Sequence, residues 1–112
     1  MQFSIRIVRF SEQFRGASPV VRHLAQQLLR AGTSIGANVE EARDAYSRRE
    51  FAFKNAIGLR EARETRCWLR LLEAAAPDQR GEGSHLMAEV NELIAILTTI
   101  VRRCRPPKVK DS

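Results

Sequence analysis

The sequence contains little cysteine, proline or glycine, and each shortage excludes a class of protein. Its 112 residues include two cysteines, four prolines and six glycines. Cys67 and Cys104 lie far apart without a CxxC pair, which excludes a disulfide framework and a cysteine-rich zinc site. We expect each to be a small buried apolar side chain. An apolar content of 44% excludes a disordered chain.

Long hydrophobic runs are also missing. No stretch approaches the ~20 apolar residues that a membrane-spanning helix requires. Arg6 and Arg9 interrupt the apolar start of the chain, and no small-residue cleavage site follows, so a signal peptide is not expected. We therefore predict a cytoplasmic protein with reduced thiols and no membrane partner. Its length suits one domain with one core.

The sequence also has fewer acidic residues than basic ones. Lys and Arg number 19 and Asp and Glu number 13, which gives a formal net charge of +6, and all but three of the cations are arginine. The guanidinium group is a planar fork that matches phosphates and carboxylates, whereas total charge affects only solubility and non-specific attraction. This composition favours nucleic acid as a partner over a merely solvated basic surface.

What the sequence does contain is apolar residues at intervals of three and four, the period of one helical face. The pattern predicts a first helix over residues 3–15. A second helix begins after Ser18, an N-cap, with Pro19 at its first position. A third begins at the capping box formed by Ser47 and Glu50.

The second helix is expected to continue through Gly32 and Gly36. Each glycine costs ~1 kcal/mol relative to alanine in a helix. The pair lies four residues apart on one face, however, and therefore allows a neighbouring helix to approach closely. A break at residues 32–34 is the alternative.

The C-terminal half completes the predicted fold. Proline and glycine without periodicity predict a loop over residues 76–83, and Ser84 is the expected cap of a fourth helix that ends at residues 102–105. Residues 106–112 are predicted to be a short flexible basic tail. The fold class is therefore all-α, an up-down-up-down four-helix bundle with a short first helix, in one domain over residues 1–105.

The third helix has a wide apolar arc that extends to Phe53, Cys67, Trp68 and Leu71. The short first helix leaves part of the other three helices uncovered. Apolar surface of this kind has to be buried against something else. We therefore expect a homo-oligomer.

Polar residues of the second and third helices form the best candidate for a reactive site. Paired carboxylates support acid–base or metal chemistry, but the Glu-x-x-His pairs of di-iron bundles are missing here. Ser34 lacks the G-x-S-x-G frame of a nucleophile, and no glycine-rich phosphate loop is present. We expect no enzyme, metal, cofactor or small-molecule substrate, and we assign the cluster to interhelical hydrogen bonds and ion pairs. Its members are Asn38, Glu40, Glu41, Asp44, Glu61, Glu64 and Thr65.

Two groups of cations are the candidate nucleic-acid contacts. Arginines at i, i+3 and i+7 form a stripe on the third helix, and a second group lies at the C-terminus. Such groups neutralise phosphates and give salt-dependent binding. Pairing of the stripe with nearby glutamates is the alternative, and few exposed aromatic residues for base stacking are expected. The predicted contacts are Arg63, Arg66, Arg70, Arg102, Arg103, Arg105 and Lys108.

Two motifs at a fixed spacing resemble a known family. They are residues 28–42, LLRAGTSIGANVEEA, and residues 61–69, EARETRCWL, with FAFK between them at residues 51–54. Together they resemble the bacterial four-helix bundle family of 23S rRNA intervening-sequence proteins, which is related to the accessory variability determinants of diversity-generating retroelements.

The resemblance implies a ring-like homopentamer without enzymatic activity, with a basic surface that contacts RNA or DNA. In the retroelement branch it implies a reverse transcriptase as partner, so a protein-binding adaptor is the alternative function. Cys67 stands where the family usually has an aromatic residue, and the first helix is shorter than usual. The positions carried over as structural or interface residues are Ser34, Asn38, Glu41, Glu61, Glu64, Thr65 and Trp68.

Overall fold

Four α-helices and no strand make up the part of the chain that the computed structural model describes, residues 2–105 without the side chains of residues 79 and 80. The predicted all-α four-helix bundle is confirmed. The predicted tail, residues 106–112, lies outside the described residues. The helices are α1 (Gln2–Glu12), α2 (Pro19–Arg43), α3 (Arg48–Ala75) and α4 (Arg80–Cys104), and a 3-10 turn (Pro77–Gln79) precedes α4.

The helices form a closed ring in which each packs on its two neighbours, and within the described residues neither diagonal pair brings Cα atoms within 8 Å of each other. Neighbours run antiparallel, as the up-down-up-down prediction requires. At 1.5 Å per residue α3 is ~42 Å long, whereas α1 reaches only ~16 Å. α1 therefore covers only one end of the groove between α2 and α4. We call this the packed end.

Both predicted N-caps are present. The Ser18 hydroxyl accepts a hydrogen bond from the Val21 backbone N–H at 3.3 Å, and the Ser47 hydroxyl accepts one from the Glu50 N–H at 3.0 Å. The carboxylate of Glu50 accepts from the N–H of Tyr46 at 3.2 Å. It therefore caps the residue before Ser47, which differs by one position from the usual capping box.

Three local predictions are wrong. α1 ends at Glu12, because residues 13–16 form turns. Residues 80–83 are helical, so the predicted loop is too long and Ser84 lies inside α4. This early part of α4 lies against the N-terminal segment, since Gly83 is next to the Phe10 ring and Gln13 donates to Glu82 at 2.8 Å.

Gly32 explains why α1 packs so closely on α2. The second helix continues without interruption through Gly32 and Gly36, as predicted, and the alternative break at residues 32–34 is wrong. A Cβ on Gly32 would lie 2.7 Å from Cγ2 of Ile7, whose side chain is fully buried. Ser4 adds a hydrogen bond of 3.0 Å from its hydroxyl to the Gly32 carbonyl. The loss of helix stability that a glycine causes at this position is thus offset by the close packing of α1 on α2.

α4 is the most apolar helix and a poorly covered one. Leu86, Val90 and Leu97 lie in the core, whereas Ile96 is exposed. By length and composition Gly81–Cys104 could cross a membrane, and little of its most apolar stretch is buried. The expectation that no segment meets this criterion is therefore wrong, although one such helix is weak evidence for a membrane.

Candidate nucleic-acid interface

The helix order brings the ends of α2 and α4 and the start of α3 to one end of the bundle. The register of α3 and α4 follows from Gly58, where a Cβ would lie 3.9 Å from Leu97 Cδ1. Because the two helices are antiparallel, five residues back along α3 and five residues forward along α4 both move ~7.5 Å in the same direction. Phe53 therefore lies at the level of Arg102.

This end carries exposed arginines from three helices, and we call it the basic end. Within the described part of the chain, none of them forms an ion pair. Arg48 and Arg49 lie in the first turn of α3, where the helix dipole disfavours cations. Helix stability therefore does not explain their presence. The arginines of the basic end are Arg43, Arg48, Arg49, Arg102, Arg103 and Arg105.

The basic end has fewer carboxylates than arginines, and two of these carboxylates already bind other groups of the chain. Lys54 Nζ lies 2.7 Å from Glu41 Oε2, an ion pair that joins α2 to α3. Glu50 accepts the Tyr46 N–H. Glu40 and Asp44 remain exposed. Six arginines and one lysine thus face four carboxylates, which leaves an excess of positive charge before any tail residue is considered.

The predicted arginine stripe lies elsewhere on the bundle. Arg63 and Arg70 are exposed, while Arg66 is half-buried and donates to Asn91 Oδ1 at 3.3 Å. Arg70 lies ~26 Å along the axis from the level of Phe53. The structure therefore does not bring the stripe and the C-terminal arginines into one site. Lys108 lies outside the described residues.

Two of the glutamates expected to compete for the stripe, Glu61 and Glu64, form ion pairs with α2. Arg30 reaches from α2 to contact both Glu61, at 3.4 Å, and Glu64 on α3. The Glu61 side chain is only 8% exposed, and Arg60 approaches its second oxygen at 4.0 Å. This arrangement fixes the register of two helices, as predicted for these glutamates. Arg30 belongs to the quoted motif, but sequence reasoning did not identify it as their partner.

The other motif positions bond within their own helices. Asn38 donates to the Ser34 carbonyl at 2.9 Å and to the Ser34 hydroxyl at 3.2 Å. Thr65 is fully buried and donates to the Glu61 carbonyl at 2.8 Å. The expected interhelical hydrogen bonds are therefore wrong for these residues. Trp68 packs against the core while half-buried, and its indole N–H has no acceptor among the described residues.

Two aromatic side chains at the basic end are exposed, and one of them, Phe53, was predicted to lie in the apolar arc of the third helix. Tyr46, between α2 and α3, is 98% exposed and Phe53 is 61% exposed. The predicted apolar arc is thus too wide, since Leu71 and Cys67 are exposed as well. The helical period could have predicted the exposure of Phe53. Asn55 is buried, and in a helix Phe53, two positions before it, faces the opposite side.

Metal or catalytic chemistry has little to build on in the described part of the chain. There, no three His, Cys, Asp or Glu side chains are close enough together to hold a metal ion. One groove, between α1 and α2, has a volume of about 290 Å³ and is open to solvent. Its polar residues include Ser11 and Glu12, but the Ser11 hydroxyl has no hydrogen-bond partner among the described residues and so is not paired with a base.

Comparison with known proteins agrees with this architecture. The profile of the 23S rRNA-intervening sequence protein family matches residues 1–99. A crystal structure at 1.70 Å resolution, of a protein with unknown function from the S23 ribosomal protein family of Bacteroides thetaiotaomicron, has 35% sequence identity and a TM-score of 0.80, covering 90% of this chain and 93% of that one. No curated protein matches. Because the family profile spans nearly the whole chain, the protein belongs to the 23S rRNA-intervening sequence protein family.

Proposed function

We propose that this protein is a non-enzymatic, oligomeric binding protein that associates with nucleic acid through its basic end. The observation that carries the proposal is the group of six exposed arginines contributed by three helix ends. Guanidinium groups bind phosphates by paired hydrogen bonds, and this end has an excess of positive charge. The carboxylates of the polar cluster support a structural role, because Glu41, Glu61 and Glu64 are all engaged in interhelical ion pairs.

Phosphate binding by these arginines has a measurable signature. Each neutralised phosphate releases condensed counterions, so the logarithm of the binding constant falls with the logarithm of salt by about 0.7–0.9 per contact. Several contacts therefore produce a steep salt dependence. The slope reports how many phosphates the protein neutralises.

The test is fluorescence anisotropy with labelled RNA and DNA at several salt concentrations. Replacing Arg102→Gln and Arg103→Gln together is expected to weaken binding to every sequence and to reduce the salt slope by about two contacts. The matched control is Arg15→Gln with Arg22→Gln, which removes the same charge from exposed positions at the packed end.

Equal loss in both double variants would show that only total charge matters. No binding at low salt would reject the proposal altogether. A third double variant, Arg63→Gln with Arg70→Gln, measures whether the stripe is a separate contact. Because the stripe and the basic end lie apart on the bundle, we expect its effect to add to that of the basic end.

Uncovered apolar surface supports the oligomer and favours a second candidate function. Ile96 on α4 is 56% exposed, and Ile5 and Val8 on α1 are also exposed. We propose that copies of the chain cover such residues, and a homopentamer is the form that the resemblance implies. An adaptor that binds another protein, such as a reverse transcriptase, uses the same surface.

Light scattering on the wild type and on Ile96→Glu tests the assembly. The wild type is expected to have a mass several times that of one chain, and the glutamate variant a lower one. If the wild type is a monomer at high concentration, the proposed self-assembly is wrong, and binding of the apolar residues to a different protein is favoured. Recovery of one specific protein partner from nuclease-treated extract, together with no nucleic-acid binding, would favour the adaptor.

A further inference from the structure

We infer that the basic end binds unpaired rather than duplex nucleic acid, with Tyr46 and Phe53 as stacking platforms for bases. The inference rests on the proposed function and specifies its ligand. It starts from two side chains that contribute little to the fold. The Tyr46 side chain is almost fully exposed and Phe53 is mostly exposed, although both are large enough to bury substantial apolar area.

The two rings share one location with the arginines. Tyr46 lies in the connection between α2 and α3, two residues before Arg48. Phe53 is in the second turn of α3, at the level of Arg102 on α4. Positive charge beside exposed aromatic rings is the combination that binds single strands, in which arginines follow the phosphates and bases stack on the rings.

Tyr46 is also held in position. Its backbone N–H donates to Glu50 at 3.2 Å, and the following residue, Ser47, caps α3. The backbone is therefore fixed while the ring remains in solvent. A platform held in this way loses little conformational freedom when a base stacks on it.

The geometry favours unpaired bases over a duplex. In a duplex the faces of the bases are stacked on one another, so a protruding ring cannot reach them without unstacking, which costs energy. A flexible single strand presents those faces freely. Phe53 lies ~7.5 Å along the α3 axis from Arg48, and Tyr46 precedes Arg48 outside the helix, so the two rings engage different bases rather than the two faces of one.

The test compares labelled oligouridylate, oligothymidylate and duplexes of RNA and of DNA of the same length, by fluorescence anisotropy on the full chain. Tighter binding of single strands is expected. Tyr46→Ala and Phe53→Ala should each weaken single-strand binding about tenfold, with an unchanged salt slope and little effect on duplex binding. Tyr46→Phe keeps the ring and should keep the affinity. Oligouridylate against oligothymidylate separates RNA from DNA as the ligand.

Val20→Ala is the matched control, because Val20 is 69% exposed at the opposite end of the bundle. Circular dichroism on every variant confirms that it remains folded. Salt-dependent binding that prefers duplex, or that is unaffected by Tyr46→Ala and Phe53→Ala, overturns the inference and leaves the proposed function standing. Absence of salt-dependent binding to any of the probes removes both.

Discussion

The two ends of this bundle use aromatic residues in opposite ways. At the packed end, Phe3, Phe10 and Phe14 of the N-terminal segment are buried, and the last two meet edge to face with ring centroids 5.1 Å apart. At the basic end, Tyr46 and Phe53 are exposed. The difference follows from where the rings lie, because Phe53 is on the side of α3 opposite the buried Asn55 and Tyr46 is in the connection between α2 and α3.

This contrast separates stability from binding within one small domain. Burial of phenylalanine contributes strongly to stability, whereas an exposed ring contributes little and remains available to a ligand. Two arginines of the N-terminal segment, Arg6 and Arg15, are in ion pairs, whereas those of the basic end form none with the described carboxylates. Substitutions at one end should therefore change unfolding, and substitutions at the other should change binding.

The strongest test substitutes one phenylalanine at each end. Phe10 is 2% exposed and contacts both Phe14 and α4, so Phe10→Ala should lower the free energy of unfolding by about 3–5 kcal/mol. Phe53→Ala should change it by less than about 0.5 kcal/mol. Urea unfolding followed by circular dichroism measures both. Similar losses for the two variants would mean that the ends do not differ as described.

The next effect concerns the contact that holds α1 in place. Gly32→Ala should cost about 1–3 kcal/mol, because the new Cβ collides with the buried Ile7 and neither helix can move away freely. Ile7→Ala creates a cavity that accepts this methyl group. The double variant should therefore be more stable than the sum of the single losses predicts, by about 1 kcal/mol or more. Strict additivity in thermal unfolding would contradict the close approach.

Helix positions were predictable where periodicity and caps agreed. Ser18 and Ser47 both mark helix starts, because a hydroxyl acceptor before an apolar periodic segment has few other uses. The start of α4 was not predictable from residues 80–83, whose glycines are typical of a loop. The contacts of this segment with Phe10 and Gln13 are remote in sequence, so a local pattern does not indicate them.

Site residues were less predictable than helices. The arginines are evident in the sequence, but which of them share a surface depends on the register of α3 against α4. The partner of Glu61 and Glu64 is Arg30, some thirty positions away, and a charge pattern on one helix does not specify it. The exposure of Phe53 was missed because the many apolar residues of α3 indicate a wider buried face than the helix has.

A smaller effect is expected at the ion-pair cluster between the two ends. Arg30→Met should cost about 1–2 kcal/mol, since it leaves the buried carboxylate of Glu61 without its closer cation, while Arg30 itself is half exposed to solvent. Arg60→Met is the matched control, because Arg60 is 72% exposed and 4.0 Å from the same carboxylate. Urea unfolding should show no loss for the control. Equal losses would mean that the two arginines are equivalent partners.

The smallest effect tests whether the basic end depends on the cap of α3. Ser47→Ala removes the acceptor for the Glu50 N–H and should cost about 1 kcal/mol. It also loosens the first turn, which carries Arg48 and Arg49, so nucleic-acid binding should weaken modestly at the same time. Ser84→Ala is the control, because Ser84 lies inside α4 at the packed end, where alanine is the better helix former. If Ser47→Ala lowers stability but leaves binding unchanged, the ordered first turn of α3 is not needed by the ligand, and binding depends on α4 and the aromatic rings instead.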